Sequence, residues 1–264
     1  MNEYPTPQEY PQPQQPQPIQ LGFKLVKPYA TYVLFGLTVF VYLLQLAGEY
    51  LTFLPVVTID GFYYDLATGL GIKYNDLIRQ GQVWRLITPV FLHGSILHIA
   101  FNMYALFVYG RDLEARFGHG RFLLLYFVSA YTGNVLSFVL TPNPSLGAST
   151  AIFGLLAAEG MFVFQNRQVL GNRSNRVLMN VLYIAAINLF IGFTTTGVDN
   201  FGHLGGLLGG LLFTWFGGPR WKVEGLYPSL RLVDEREGHG AFAGTMAALL
   251  FFIPLTLMGW IWPR

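Results

Sequence analysis

The chain has 264 residues, 53% of them hydrophobic, 16% aromatic and 11% charged, with a net charge of +2. That is too apolar and too poor in charge for an ordinary soluble domain. Its basic residues are sorted by side rather than clustered as a nucleic-acid footprint would be. The absence of cysteine excludes disulfides, thiolate zinc sites and cysteine nucleophiles. What remains is a multi-pass membrane protein.

Residues 1–20 are rich in Pro and Gln, hold two glutamates and carry no basic residue. They lack the positive and apolar regions of a signal peptide and read as a disordered tail. A spanning helix needs about 20 mostly apolar residues, and seven stretches supply one, giving an all-α bundle of seven transmembrane helices. The first is 28–48, bracketed by Lys27 and Glu49. The stretch 49–90 carries Asp60, Asp65, Lys73, Asp76, Arg79 and Arg85 and is too polar to span; its Phe62, Tyr63, Tyr64 and Trp84 suit the membrane interface. The second helix is expected at about 94–110 and the third at about 122–140. Pro142-Asn143-Pro144 then forces a tight turn, so the fourth starts near Ser149 and ends before Arg167. The fifth falls at 177–193, the sixth at 200–216 and the seventh at 241–261. Three parts follow: the tail at 1–20, a six-helix core at 21–217 with a long outer loop at 49–90, and a cytoplasmic loop with the seventh helix at 218–264.

Basic residues set the orientation. With the N-terminus in the cytoplasm, twelve fall inside: Lys24, Lys27, Arg111, Arg116, Arg121, Arg167, Arg173, Arg176, Arg220, Lys222, Arg231 and Arg236. Four fall outside, namely Lys73, Arg79, Arg85 and Arg264, and the opposite topology would invert the bias. The expected setting is a bacterial plasma membrane, N-terminus in and C-terminus out. The second, fourth and sixth helices then all descend from the outer face, so His98, Asn102, Ser149 and His203, early in each, share one shallow layer. Polar groups are expensive in hydrocarbon and are usually functional or paired there. Four together imply a watery pocket opening outward.

These residue types fit acyl transfer. Ser149 opens a helix after Gly147, so unpaired backbone N–H groups and the positive end of the helix dipole lie beside its hydroxyl. His203 is the natural base for that hydroxyl. His98 and Asn102, four residues apart, project from one helix face and can donate to the same oxyanion. Gly206 and Gly210 continue the His203 face, and with Gly205 and Gly209 they let helices touch backbone to backbone. Phe153, one turn after Ser149, can stack on the imidazole. Asp199 lies one turn before His203 and invites a triad, although a structural role is the preferred reading. Glu159, about 15 Å below Ser149, is expected near mid-depth, protonated or bonded to a neighbouring helix.

Trp84-Arg85, His98-x-x-x-Asn102, Gly110-x-x-x-Glu114, Gly147-x-Ser149 and His203-Leu-Gly-Gly206, in this order, resemble the rhomboid intramembrane serine proteases over nearly all of 28–262. The resemblance implies a Ser149/His203 dyad without a third acid, an oxyanion site of His98, Asn102 and the Ser149 backbone, and cleavage of transmembrane segments of membrane proteins in the lipid bilayer. It calls for no cofactor and no metal. It makes Trp84, Arg85 and Glu114 structural, places Phe153 against the histidine, and reads the seventh helix as one appended to a six-helix core. The family commonly has Gly after the serine, where this chain has Thr150, a side chain expected to shape the oxyanion site. The competing class is a non-proteolytic relative that binds membrane segments, which the retained serine and histidine argue against. A proton-relaying transporter would instead carry polar residues through both leaflets.

Overall fold

The computed structural model describes residues 22, 25–51, 53–227 and 229–262; the expected disordered tail, Lys24 and Arg264 lie outside them. Helices occupy every stretch expected to span. Helix α1 is Tyr29–Tyr50, followed by a hairpin of β1 (Val56–Ile59) and β2 (Phe62–Asp65) and by short helices α2 (Leu66–Gly71) and α3 (Asn75–Arg79). Two 3-10 turns, Val83–Leu86 and Thr88–Phe91, lead to α4 (Ile96–Ala105), which passes through a π-turn at Leu106–Gly110 into α5 (Arg111–Phe117). Then come α6 (His119–Leu140), α7 (Ser149–Gln165), α8 (Arg167–Leu170), α9 (Arg173–Thr194) and α10 (Asn200–Gly217). A second antiparallel hairpin, β3 (Trp221–Glu224) and β4 (Arg231–Asp234), precedes α11 (Gly240–Ile261). The molecule is an all-α, polytopic membrane bundle with two small hairpins at its ends.

Among the described residues, four helices are long and apolar enough to cross a membrane by length and composition: α1, α6, α9 from Ser174, and α11. The other three expected spans, α4, α7 and α10, are shorter or broken by polar residues and glycines, and they carry the candidate site. Helix α7 has 17 residues, about 25 Å at 1.5 Å per residue, against a hydrocarbon thickness near 30 Å. A helix that short, reaching one boundary, begins below the other.

The structure corrects two expectations. The second helix does not stop at 110 but runs on to Phe117, where Gly118 at φ 79° turns the chain. The charges of Arg111, Asp112 and Arg116 mark where the helix leaves the membrane, and charge at a bilayer boundary does not end a helix. The stretch 49–90 is a folded unit, not an open loop. Asp60 and Gly61, at φ 48° and 82°, form the two-residue turn of β1–β2, with Ile59 opposite Phe62. Buried Arg85 ties the unit together, its guanidinium donating to Gly69 O at 2.7 Å, Ile72 O at 2.8 Å and Gln82 Oε1 at 2.7 Å, while the Trp84 indole donates to Leu70 O at 3.1 Å. Of the two states expected for Glu159, protonated or bonded to a neighbouring helix, the second is the one found. It meets the Arg116 guanidinium, delivered by the extended second helix, at 2.5 Å.

Packing is closest around α10. A Cβ on Gly206 would overlap the Thr150 carbonyl oxygen of α7, and one on Gly209 would overlap the Thr132 hydroxyl of α6. Only glycine lets α10 lie in the groove between those two helices. At the opposite end of the bundle, buried Glu114 caps α1, which has no side-chain cap of its own. Its carboxylate accepts from Ala30 N at 2.8 Å, Thr31 N at 2.7 Å and Thr31 Oγ1 at 2.6 Å. A carboxylate at an uncapped helix N-terminus satisfies orphan donors and the dipole together.

Candidate active site

The approach to Ser149 is held from outside the bundle. Lys73 and Ser145 exchange backbone hydrogen bonds of 3.0 and 3.2 Å, and the buried Lys73 ammonium donates to Asn143 O at 2.9 Å and Thr141 O at 3.3 Å. Burial lowers the Lys73 pKa to about 8. The chain then passes Gly147 at φ 132°, a region that L side chains rarely adopt, and enters α7 at Ser149. The first α7 bond runs from Ile152 N to Ala148 O at 3.0 Å, so the Ser149 amide belongs to the unpaired first turn.

Ser149 Oγ lies 2.9 Å from His203 Nε2. The imidazole stacks flat on Phe153, with centroids 4.3 Å apart and planes within 9°. Gly206, one turn below His203 on α10, brings that helix onto the Thr150 carbonyl in the first turn of α7, which explains how the two side chains meet. Gly147 is required on a second count: the space its Cβ would take is filled by the edge of the His98 ring and lies beside Ser149 Oγ. Asn102, one turn below His98, donates to His98 O at 3.0 Å and lines the same cavity. That cavity, about 620 Å³, is walled by Ser149, His203, His98, Asn102 and Phe153, with Asn188 and Ile191 of α9 opposite.

Asp199 also lines this cavity, but its carboxylate makes no hydrogen bond to the His203 ring among the described residues. One carboxylate oxygen accepts from Gly202 N at 2.8 Å, capping α10, and the other accepts from the Ser137 hydroxyl. His203 Nδ1 has no hydrogen-bond partner among the described residues. Thr150 also departs from expectation. A step of one residue turns a helical side chain by about 100°, and Thr150 faces away from the cavity, packed on Gly133 and Gly202, its hydroxyl without a partner among the described residues. It touches the site only through the helix seam. Trp84, Arg85 and Glu114 lie away from the cavity, in the supporting contacts given above.

A family model described as the Rhomboid domain matches residues 80–220, more than half of the chain and the whole of this constellation. The chain belongs to the rhomboid family. Rhomboid protease GluP of Bacillus subtilis (strain 168) is 46% identical over 140 residues, which cover 53% of this chain and 27% of that protein. Rhomboid-like protease 3 of Toxoplasma gondii is 39% identical over 144 residues, 54% of each chain. RHOMBOID-like protein 4 of Arabidopsis thaliana is 35% identical over 177 residues, 67% of this chain and 43% of that one. The rhomboid chain described here thus spans about half or less of the length of these curated relatives.

The structure adds a residue that sequence reasoning passed over. His93 is buried just ahead of α4; its Nε2 accepts a long bond from Ala148 N at 3.5 Å, and its ring meets the His98 ring edge-on at 4.9 Å. Gln45 of α1 clasps its backbone, accepting from His93 N at 3.0 Å and donating to His93 O at 3.3 Å. The available signal was a second histidine five residues before His98, just ahead of the span expected from 94.

Proposed function

We propose that this rhomboid is an intramembrane serine endopeptidase that cleaves transmembrane segments of membrane proteins. The observation that carries the reading is the 2.9 Å contact of Ser149 Oγ with His203 Nε2 at a helix start inside a cavity that His98 and Asn102 also line. Ser149 Oγ attacks the scissile carbonyl while His203 Nε2 takes its proton. The oxyanion forms beside the His98 ring, the Asn102 amide and the Ser149 N–H. His203 then returns the proton to the leaving amine, and water hydrolyses the acyl group on Ser149 by the same exchange. Phe153 fixes the imidazole plane, and the capping role of Asp199 supports a dyad without an acid. The names of the relatives GluP and rhomboid-like protease 3, both proteases, support the class.

The test is trapping by a fluorophosphonate probe together with cleavage of a reporter transmembrane substrate. Ser149→Ala should lose both and His203→Ala should lose cleavage, each leaving a membrane-inserted protein with an unchanged unfolding temperature, because nucleophile and base act as a unit. Inhibitor-sensitive cleavage by Ser149→Ala would sink the mechanism.

We also propose that the cavity opens to the outside of a bacterial plasma membrane, on the strength of the twelve-to-four basic bias. In this arrangement the six-helix core ends near 217 and α11 is an added span with its end outside. Single cysteines at Ser145 and Gly197 should then react with an impermeant thiol reagent in intact cells, and those at the exposed Asn175 and Ser229 only after the membrane is opened. The reverse pattern would overturn the orientation.

A further inference from the structure

The end of the bundle remote from Ser149 carries a second cavity. It lies where α7 and α10 finish, on the order of 25 Å along α7 from the serine at 1.5 Å per residue, and has a volume of about 490 Å³. Arg167, Arg220, Lys222 and Arg236 line it, with Glu235 as the one carboxylate. Arg236 is committed to the fold, donating to Gln165 Oε1 at 3.2 Å and Gly218 O at 3.1 Å. Arg220 and Lys222 share Glu235 at 3.5 and 3.8 Å, and both are more than half exposed. Arg167 stands over the Phe164 ring at 5.0 Å and forms no ion pair among the described residues. Among the described residues, three exposed cations therefore face one carboxylate at a site that an apolar bundle places at a bilayer boundary, where exposed Phe164 and Trp215 also lie.

A groove between α7, α9 and α10 begins at the same place. It encloses about 330 Å³ and is lined only by apolar residues, among them Gly160, Phe164, Val181, Leu182, Leu207 and Leu211. Phe164 lines both, so the basic cavity and the apolar groove are neighbours at one ring. A phosphate-bearing headgroup matches the first, and an acyl chain attached to it matches the second. Neither a free anion nor a neutral lipid matches both.

We propose that this paired site binds an anionic diacyl phospholipid, its phosphate held by Arg167, Arg220 and Lys222 and one acyl chain lying in the groove between α9 and α10. Basic residues near a membrane surface each contribute about 1 kcal/mol to holding an anionic lipid, which is roughly fivefold in affinity.

The experiment uses the full chain, purified and stripped of lipid. It is titrated with dioleoyl phosphatidylglycerol, with dioleoyl phosphatidylcholine and with inorganic phosphate, and bound lipid is counted by native mass spectrometry. One phosphatidylglycerol should be retained at least tenfold more tightly than phosphatidylcholine. The combined Arg167→Gln, Arg220→Gln and Lys222→Gln variant should weaken it by about fivefold per charge. Glu235→Gln, which frees two of the cations, should strengthen it severalfold, a gain that misfolding does not produce. Leu182→Trp, placed in the groove, should weaken lipid retention while sparing the headgroup cavity. Equal retention of the two lipids, or an anionic preference indifferent to both charge variants, would overturn the proposal. So would displacement by inorganic phosphate with no effect of Leu182→Trp, which would mark a bare phosphate pocket.

Discussion

Helices α9 and α10 border the same cavity and are built on opposite terms. Helix α10 presses Gly205, Gly206, Gly209 and Gly210 into the backbones and short side chains of α6 and α7, and all four are buried. Helix α9 is only 17% buried over its most apolar window, where α6 is 67% buried, and Leu182, Tyr183 and Phe190 stand exposed on its surface. His203, which meets Ser149 Oγ at 2.9 Å, rides on the helix that cannot shift without backbone overlap. The side chains that only wall the cavity, Asn188 and Ile191, ride on the looser one. Precision sits where glycine removes the freedom to move, and apolar side chains facing lipid suffice elsewhere.

The contrast breaks most directly at Gly206. Gly206→Val must push the Thr150 carbonyl aside, and such overpacking costs about 3 kcal/mol or more where backbone cannot yield. It should lose both fluorophosphonate labelling and thermal stability in detergent. Phe190→Ala on α9 removes a larger side chain that is 67% exposed, and should stay within about 0.5 kcal/mol of the parent in the absence of buried partners. Should Gly206→Val unfold at the parent temperature and label normally, the close seam is not what places His203.

What the sequence disclosed follows the range of each interaction. Seven helices were legible because each is a local run of apolar residues, and Ser149, His203, His98 and Asn102 because polar residues in such runs stand out. The β1–β2 turn was legible as well, since Asp60-Gly61 between aromatic and β-branched residues is a local hairpin signal; the weight given to charge in 49–90 hid it. The end of the second helix was misjudged because charge was taken to end the helix when it marked only the membrane boundary. The partner of Glu159 lies 43 residues away, and the capping of α1 by Glu114 spans 83 and 84. No period or spacing reports contacts of that range. Asp199 shows the converse: its helical spacing to His203 was visible, but Ser137 and Gly202, which occupy its oxygens, come into view only with the packing of α6.

Glu159 sharpens the contrast along α7, whose first turn holds Ser149 and whose lower half meets Arg116. The pair is mostly buried, with side-chain exposures of 16% for Arg116 and 12% for Glu159. Glu159→Gln leaves the guanidinium without its counter-charge, at a cost of about 1–2 kcal/mol, between the values for exposed and fully buried pairs. Thermal unfolding should report that loss while turnover stays nearly unchanged, since neither side chain lines the Ser149 cavity. A fall in turnover as deep as that of Ser149→Ala would show the chemistry to be misplaced.

The smallest effect belongs to Thr150, which stands beside Ser149 in sequence and on the α10 side of the seam in space. Its methyl packs against Gly133 and Gly202, while its buried hydroxyl lacks a hydrogen-bond partner among the described residues. Thr150→Ala removes both groups. Losing a buried methyl costs about 1 kcal/mol, and removing an unsatisfied hydroxyl returns a comparable amount, so the net stability change should be under about 1 kcal/mol. Thr150→Gly forgoes the same contacts and adds backbone freedom worth about 0.5–1 kcal/mol at a helix position, so it should be the less stable of the two. Cleavage by either should remain within about tenfold of the parent, or 1.4 kcal/mol of barrier, because the side chain reaches the Ser149 cavity only through the position of α7. Thr150→Val, which keeps the packing and replaces the orphan hydroxyl, should be the most stable of the series. If Thr150→Ala were inactive while Ser149→Ala cleaved normally, the nucleophile would be Thr150, and the seam side of α7 rather than its cavity side would carry the reaction.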